Sequence, residues 1–173
     1  MIPEIMTSRL RLRAHRIEDF PASAAMWGDR EIATHIGGRP LTEEETWARF
    51  LRYSGHWTVM GFGYWLVEEK TTRAFVGEVG FADWKREIQP SIQGIPELGW
   101  VLAKRAHGKG YATEAALAAI EWSKANLSSP SITCIIHPGN VASIRVAEKC
   151  GFRKQVETTY RNEPITIFTR ENS

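Results

Sequence analysis

Three things are scarce in this chain, and each scarcity excludes something. Cysteine occurs only twice in 173 residues, as Cys134 and Cys150. Both stand among apolar or structured neighbours, so the sequence predicts buried free thiols rather than a bridge, which fits a reducing, cytoplasmic setting. Net charge is scarce as well. The 22 Lys and Arg against 20 Asp and Glu leave only +2. Such balance is not that of a bulk nucleic-acid or membrane binder, so any cationic surface must be local. Long apolar runs are missing: no stretch approaches the roughly 18–20 residues that span a bilayer. The opening MIPEIMTSRLRLRAHR has no apolar run of signal-peptide length and no small-residue cleavage site. There is no internal repeat and no low-complexity tract.

What remains is an ordinary globular composition, 43% apolar and 24% charged, and a length that supports one core. RLRLRAH alternates Leu10, Leu12 and Ala14 with Arg9, Arg11 and Arg13, the period of a strand with one buried face and its arginines toward water or a partner. IEDFPASAAMWGD is a helix candidate, and REIATHIGG adds a short turn. Thr42 and Glu45 form a capping box for a helix that is predicted to end near Gly55. YWLVEE and AFVGEVGFAD make a hairpin, and PELGWVLA is the next strand. YATEAALAAIEWSKANL is the strongest helix, with Ala112, Ala116, Ala119 and Ile120 on a face small enough to lie close to a sheet. SITCIIH is a strand of the kind buried on both sides. NVASIRVAEKC is a helix with Asn140 as N-cap and Gly151 beyond its end. Two last strands turn at Asn162-Glu163-Pro164. The order β-α-α-β-β-β-α-β-α-β-β predicts a single mixed α/β domain over 1–173, with a core of about 7–170.

The chemistry concentrates in Leu98–Trp122, LGWVLAKRAHGKGYATEAALAAIEW. A strand runs into a helix through Arg105-Ala-His107-Gly108-Lys109-Gly110. The first turn of a helix leaves N–H groups unpaired and carries about half a positive charge from the dipole. Gly108 and Gly110 clear side chains where a ligand would touch backbone, and Arg105 and Lys109 add charge. These are the ingredients of a phosphate site. A Walker loop does not fit, because Gly110 rather than Ser or Thr follows Lys109 and no glycine stands five before Gly108. A dinucleotide fingerprint does not fit either, because Thr113 occupies its third glycine position and His137 closes the next strand where an acid belongs.

The pattern R-x-x-G-x-G-Y-A resembles the pyrophosphate-binding segment of the GCN5-related N-acetyltransferases (GNAT). HPGNVASIRVAEKCGFRK resembles the following segment of the branch that includes ribosomal-protein N-terminal acetyltransferases, and TSRLRLRAHRIEDF its first strand and helix. The resemblance covers nearly the whole chain. It implies a central, mostly antiparallel sheet of six to seven strands with a splayed parallel pair, flanked by about four helices. It implies transfer of an acetyl group from acetyl-CoA to a primary amine by direct attack in a ternary complex, without a metal. Trp100, Val101 and Leu102 would meet the cofactor through backbone. Arg105, Gly108, Lys109, Gly110, Tyr111 and Ala112 would wrap the pyrophosphate, and Asn140 and Ser143 would sit near the thioester.

An attacking amine must be neutral, whereas a lysine ammonium has a pKa near 10.4 and an α-amino group near 8, so a base is needed. Glu97, opening the splayed strand, is the first candidate, against the plain reading of an exposed strand-end charge. Glu78 is a weaker alternative. The thioester oxygen gains charge and needs N–H donors, one of which a bulge about Val101 would provide. Ser143 is a candidate acid or thiol-positioning group, against a simple first-turn hydroxyl. His137 is read as a structural histidine near this centre, and the last helix carries no tyrosine to act as acid. Trp27, His35, Trp47, Trp57, Trp84 and Tyr160 lie in the segments that build the acceptor side, where they either line a pocket or pack the core. The acceptor is expected to be a small-molecule or peptide amine, with no nucleic-acid or membrane partner, and the protein a monomer or homodimer. Competing readings are an acyl-CoA-binding sensor domain without turnover, and a nucleotide or nucleic-acid binder resting on the basic loop alone.

Overall fold

The computed structural model describes residues 1–173. Its frame is one open sheet. Strands β1 (Ile5–Met6), β2 (Leu10–Arg13), β3 (Tyr64–Glu69), β4 (Phe75–Ala82), β5 (Glu97–Leu102), β6 (Ser131–Ile136), β7 (Arg153–Tyr160) and β8 (Glu163–Glu171) lie in the order β1-β2-β3-β4-β5-β6-β8-β7. Every neighbouring pair is antiparallel except β5 and β6. The helices are α1 (Phe20–Trp27), α2 (Arg30–Ala33), α3 (Glu43–Met60), α4 (Tyr111–Asn126) and α5 (Val141–Lys149). The eighth strand, beyond the six to seven expected, is the two-residue β1, which folds back on β2 through a Thr7–Leu10 turn. The fifth helix is the single turn α2.

Alternation along β4 and β5 separates the faces. Val79, Phe81 and Leu98 join the main core beneath α4, with Leu10, Leu12, Trp65 and Ile132. Glu78, Gly80 and Ala82 on β4, with Glu97, Gly99 and Val101 on β5, turn to the other side. There α1 and α3 cover them: Val101 packs with Met26 and Trp27, and Ala82 with Tyr53 and Tyr64. The small face of α4 seats on the sheet through Ala115, Ala116, Ala119 and Ile120. Ala115 takes the place expected for Ala112, which sits half-buried at the helix mouth.

Several local expectations shift. The capping box holds, with Thr42 Oγ1 accepting from Glu45 N and Glu45 accepting from Thr42 N. But α3 runs through Gly55 to Met60 and stops at Gly61, which has φ +73°. The continued apolar contacts of Trp57 outweigh one glycine's helix cost of about 1 kcal/mol. The last hairpin turns at Arg161 and Asn162, both with positive φ, and Pro164 already pairs with Thr159. Arg13, expected on the water face, is buried because Asp19 and Glu68 accept its guanidinium hydrogen bonds at 2.7–2.9 Å. Cys134 and Cys150 are buried free thiols, and burial pushes Cys150 up to about 11. No helix is long and apolar enough to cross a membrane.

Candidate functional site

The site begins with an interruption in the sheet. β5 pairs with β4 along its full length, yet on its other edge it meets β6 at one register point, Glu97 opposite Thr133. Thr133 N donates to Pro96 O at 3.0 Å, and beyond that point the strands part. The Ala103 N bond to Val76 O fixes which edge each residue uses. In an antiparallel ladder bonded residues alternate, so the backbones of Glu97, Gly99 and Val101 serve β4; Leu98 faces β6 at the pairing point, and Trp100 and Leu102 face the gap, with Leu102 O bonded to His107 Nε2 at 2.9 Å. The β4–β5 register is unbroken, and the bulge expected at Val101 is absent. Its N–H belongs to the ladder, and the donors available to a ligand are those of its two neighbours. The irregularity in this region lies between β3 and β4, at Val67/Glu68.

At the wide end of the gap lies the loop before α4. Gly108 and Gly110 have φ +74° and +78°, and a Cβ at Gly108 would meet nothing within 4 Å. Gly110 caps α4 without any side-chain bond. The backbone N–H groups of Gly108, Lys109, Gly110, Tyr111, Ala112 and Thr113 have no hydrogen-bond partner; the first bonded one is Glu114 N, on Gly110 O. A concave loop with so many free donors at a helix N-terminus is built for a polyanion. Its shape is held from outside by Arg9, which donates to Lys109 O at 2.9 Å and to Glu114 Oε2 at 2.7 Å and lies over Tyr111 at 4.7 Å. Tyr111 donates its hydroxyl to Glu69 at 3.0 Å, and Lys109 Nζ stands 3.7 Å from the same carboxylate. Arg105 donates to Phe75 O at 2.8 Å and stays exposed.

Across the gap, Asn140 caps α5 by accepting from Ser143 N at 3.1 Å. Trp100 Nε1 reaches from β5 to Ser143 Oγ at 3.3 Å, so these two named residues meet over the opening. His137 accepts from Gly139 N through Nδ1 at 3.0 Å and faces His35 with centroids 6.2 Å apart.

The two glutamates separate clearly. Glu78 is fully buried and accepts from three donors, Ser23 Oγ at 2.5 Å, Trp27 Nε1 at 2.9 Å and Tyr53 Oη at 3.0 Å, while His15 Nε2 stands 3.5 Å away, an ion-pair contact without hydrogen-bond geometry. Burial alone would raise its pKa, but the His15 contact, helped by Ser23 and Trp27, holds it below the usual carboxylate range. It ties α1 and α3 to the sheet. Glu97 is not the exposed strand-end charge of the alternative reading. It is buried, and Arg86 grips both its oxygens at 2.7 and 2.8 Å while lying over Tyr160 at 5.0 Å.

Tyr64 escaped the sequence reading. Its ring is buried and stacks on Tyr53 with centroids 4.8 Å apart. Its hydroxyl occupies the space a Cβ at Gly99 would need, which explains that glycine. Burial, and then the charge of Glu97, push its pKa up, so the phenol stays neutral. The hydroxyl has no hydrogen-bond partner in the protein, and it is not among the sealed unpartnered atoms, which are only His15 Nε2 and Arg170 Nη1. A strand tyrosine in YWLVEE carries no signal beyond core packing until β5 is placed beside it. Of the aromatics expected on the acceptor side, Trp57 packs against Trp65 and Trp122 in the core, and Trp47 stacks on Phe50. Trp27 and Trp84 flank Arg49 instead.

Known proteins resemble this chain in sequence and fold. The Acetyltransferase (GNAT) domain family matches residues 9–153. The uncharacterized protein YkkB of Bacillus subtilis is 30% identical over 176 residues, 98% of this chain and 96% of that one. The uncharacterized N-acetyltransferase p20 of Bacillus licheniformis is 25% identical over 87% of this chain and 83% of its own length. Among solved structures, an acetyltransferase from Agrobacterium tumefaciens superposes with a TM-score of 0.84 at 28% identity, covering 98% of this chain and 95% of that one. A split sheet, a free-donor loop at its wide end and these matches agree, and the chain belongs to the GNAT family of N-acetyltransferases.

Proposed function

We propose that the protein transfers an acetyl group from acetyl-CoA to a primary amine, with the donor lying in the gap between β5 and β6. The observation that carries this reading is the pairing of a strand edge left open beyond the Glu97–Thr133 point, at Trp100 and Leu102, with six unpartnered N–H groups from Gly108 to Thr113. Coenzyme A offers two matching parts, an amide-bearing arm and a pyrophosphate. When bound, it would supply the activated acyl group.

In this reading the loop with Arg105, Lys109, Tyr111 and Ala112 binds the pyrophosphate, and Trp100 and Leu102 bond the arm through backbone, with Val101 beneath. Asn140 and Ser143, joined to Trp100, position the sulfur end. Glu97 accepts the amine's proton: each carboxylate oxygen keeps a lone pair beyond the one Arg86 uses, and Arg86 fixes its direction. Glu78 is ruled out of that role because its donors enclose it. The neutral Tyr64 hydroxyl, above Gly99, donates to the oxygen that gains charge during transfer. The acceptor is a small-molecule or peptide amine, and a reducing, cytoplasmic setting suits the two free thiols. Thiol release from acetyl-CoA in the presence of a broad amine panel tests the reading. Release that needs an amine supports it, and coenzyme A binding without release refutes it.

A further inference from the structure

The face of the sheet bearing Gly99 holds two arginines that form no ion pair within the protein, and the inner one is Arg49. Arg49, on α3 one turn before Tyr53, lies over the Trp27 ring at 4.2 Å and toward Trp84 at 5.8 Å. Arg52 covers the outer side of Trp84 at 5.5 Å. No carboxylate lies within 4.0 Å of either guanidinium. The carboxylates nearby are already engaged: Glu78 by Ser23, Trp27 and Tyr53, Glu97 by Arg86, and Asp83 by Lys85.

Arg49 is half-buried and has no ion-pair partner, so an anion brought beside it would gain a partly desolvated counter-charge. Its polar surroundings are the Tyr53 and Tyr64 hydroxyls, with Glu78 more distant. Stacking on indoles uses the face of a guanidinium and leaves its edge donors free for a planar, two-oxygen acceptor. Apart from the nearby Tyr53 hydroxyl, those donors have no protein group to serve, and none is sealed from solvent. Arg49 therefore points unclaimed donors into the space that Tyr64 shares, beside Gly99.

We infer that the amine accepted by this enzyme carries an anionic group, a carboxylate in the simplest case, and that Arg49 binds it bidentately between Trp27 and Trp84. This rests on the acetyltransferase reading above, because it names the substrate class of the same site. It also sets a sign: an acceptor bearing further positive charge meets Arg49 and Arg52 unfavourably.

Two measurements test it separately from the transfer reading. The first uses matched amines on one scaffold, phenylalanine, phenylalaninamide and the corresponding diamine, with thiol release from acetyl-CoA as readout. The free acid is expected to exceed the amide by about tenfold or more in kcat/KM, which is about 1.4 kcal/mol, and the diamine to be the poorest. The second titrates N-acetylphenylalanine and its amide onto the coenzyme A-loaded protein and needs no turnover. The acid is expected to bind about tenfold tighter, Arg49→Gln to erase that preference, and Arg49→Lys to restore part of it through charge without the fork. Melting temperature and coenzyme A affinity serve as controls for folding. A wild-type preference for amide or diamine, or an acid preference that survives in folded Arg49→Gln, overturns the proposal. Absence of thiol release while the acid still binds selectively overturns the transfer reading alone, and equal binding of acid and amide overturns this one.

Discussion

Arg86 holds Glu97 through both carboxylate oxygens, at 2.7 and 2.8 Å, at the register point where β5 and β6 meet before parting. The pair fixes an anion at the narrow end of the gap, opposite the cationic loop at the wide end. If Glu97 takes the amine's proton, Glu97→Gln lowers kcat by about a hundredfold, with the largest deficit at the acid end of the profile. Coenzyme A affinity is retained. A pH–rate profile parallel to that of the wild type removes Glu97 from the role.

Tyr64 supplies a second prediction. Its hydroxyl bonds nothing in the protein, so Tyr64→Phe breaks no internal hydrogen bond and leaves the melting temperature nearly unchanged. Turnover falls about tenfold to a hundredfold because a donor to the developing charge is lost. Gly99→Ala, which drives a methyl into the space of that hydroxyl, harms both folding and turnover. Full activity in Tyr64→Phe, measured at saturating acceptor, shows that the hydroxyl only fills space.

The loop makes a third. Gly110 has φ +78° and Arg9 Nη2 lies 3.5 Å from where its Cβ would be. Gly110→Leu costs about 1–2 kcal/mol of backbone strain and obstructs the donors of the first turn of α4. Coenzyme A affinity falls at least about tenfold by equilibrium titration. Unchanged affinity contradicts the cradle.

The amount legible in sequence follows from where each constraint lies. The loop, the α4 helix and the Asn140 cap are local patterns, so their glycines and cap residues could be read directly. Tyr64, Arg86 and Arg49 could not. Their roles depend on β3, the β4–β5 connection and α3 converging on Gly99 and Glu97, which no spacing encodes. Arg9 is the intermediate case. Alternation along the strand places it as an outward arginine, and its contact with Lys109 and Glu114 crosses a hundred residues.

Glu68 yields a prediction about stability. Arg11, Arg13 and Arg73 all donate to its carboxylate, and Arg13 also bonds Asp19. Burial opposes ionisation of both acids, but the arginine bonds outweigh it and lower both pKa values. A depressed folded-state pKa stabilises above the unfolded value and is lost as pH falls through the folded one. The stability from these acids is therefore present at neutral pH and disappears below about pH 4. Glu68→Gln, which leaves Arg13 buried with only Asp19, lowers unfolding free energy by about 3 kcal/mol at pH 7 and by less at pH 3. An equal deficit at both values shows that packing, not charge, is responsible.

The most direct measurement of the central claim is release of free coenzyme A thiol from acetyl-CoA, followed with and without primary amines. The account predicts release that depends on the amine, saturates with acetyl-CoA and is lost with the cradle variant Gly110→Leu. Tight coenzyme A binding with no amine-dependent release from any acceptor, anionic, neutral or cationic, would contradict it.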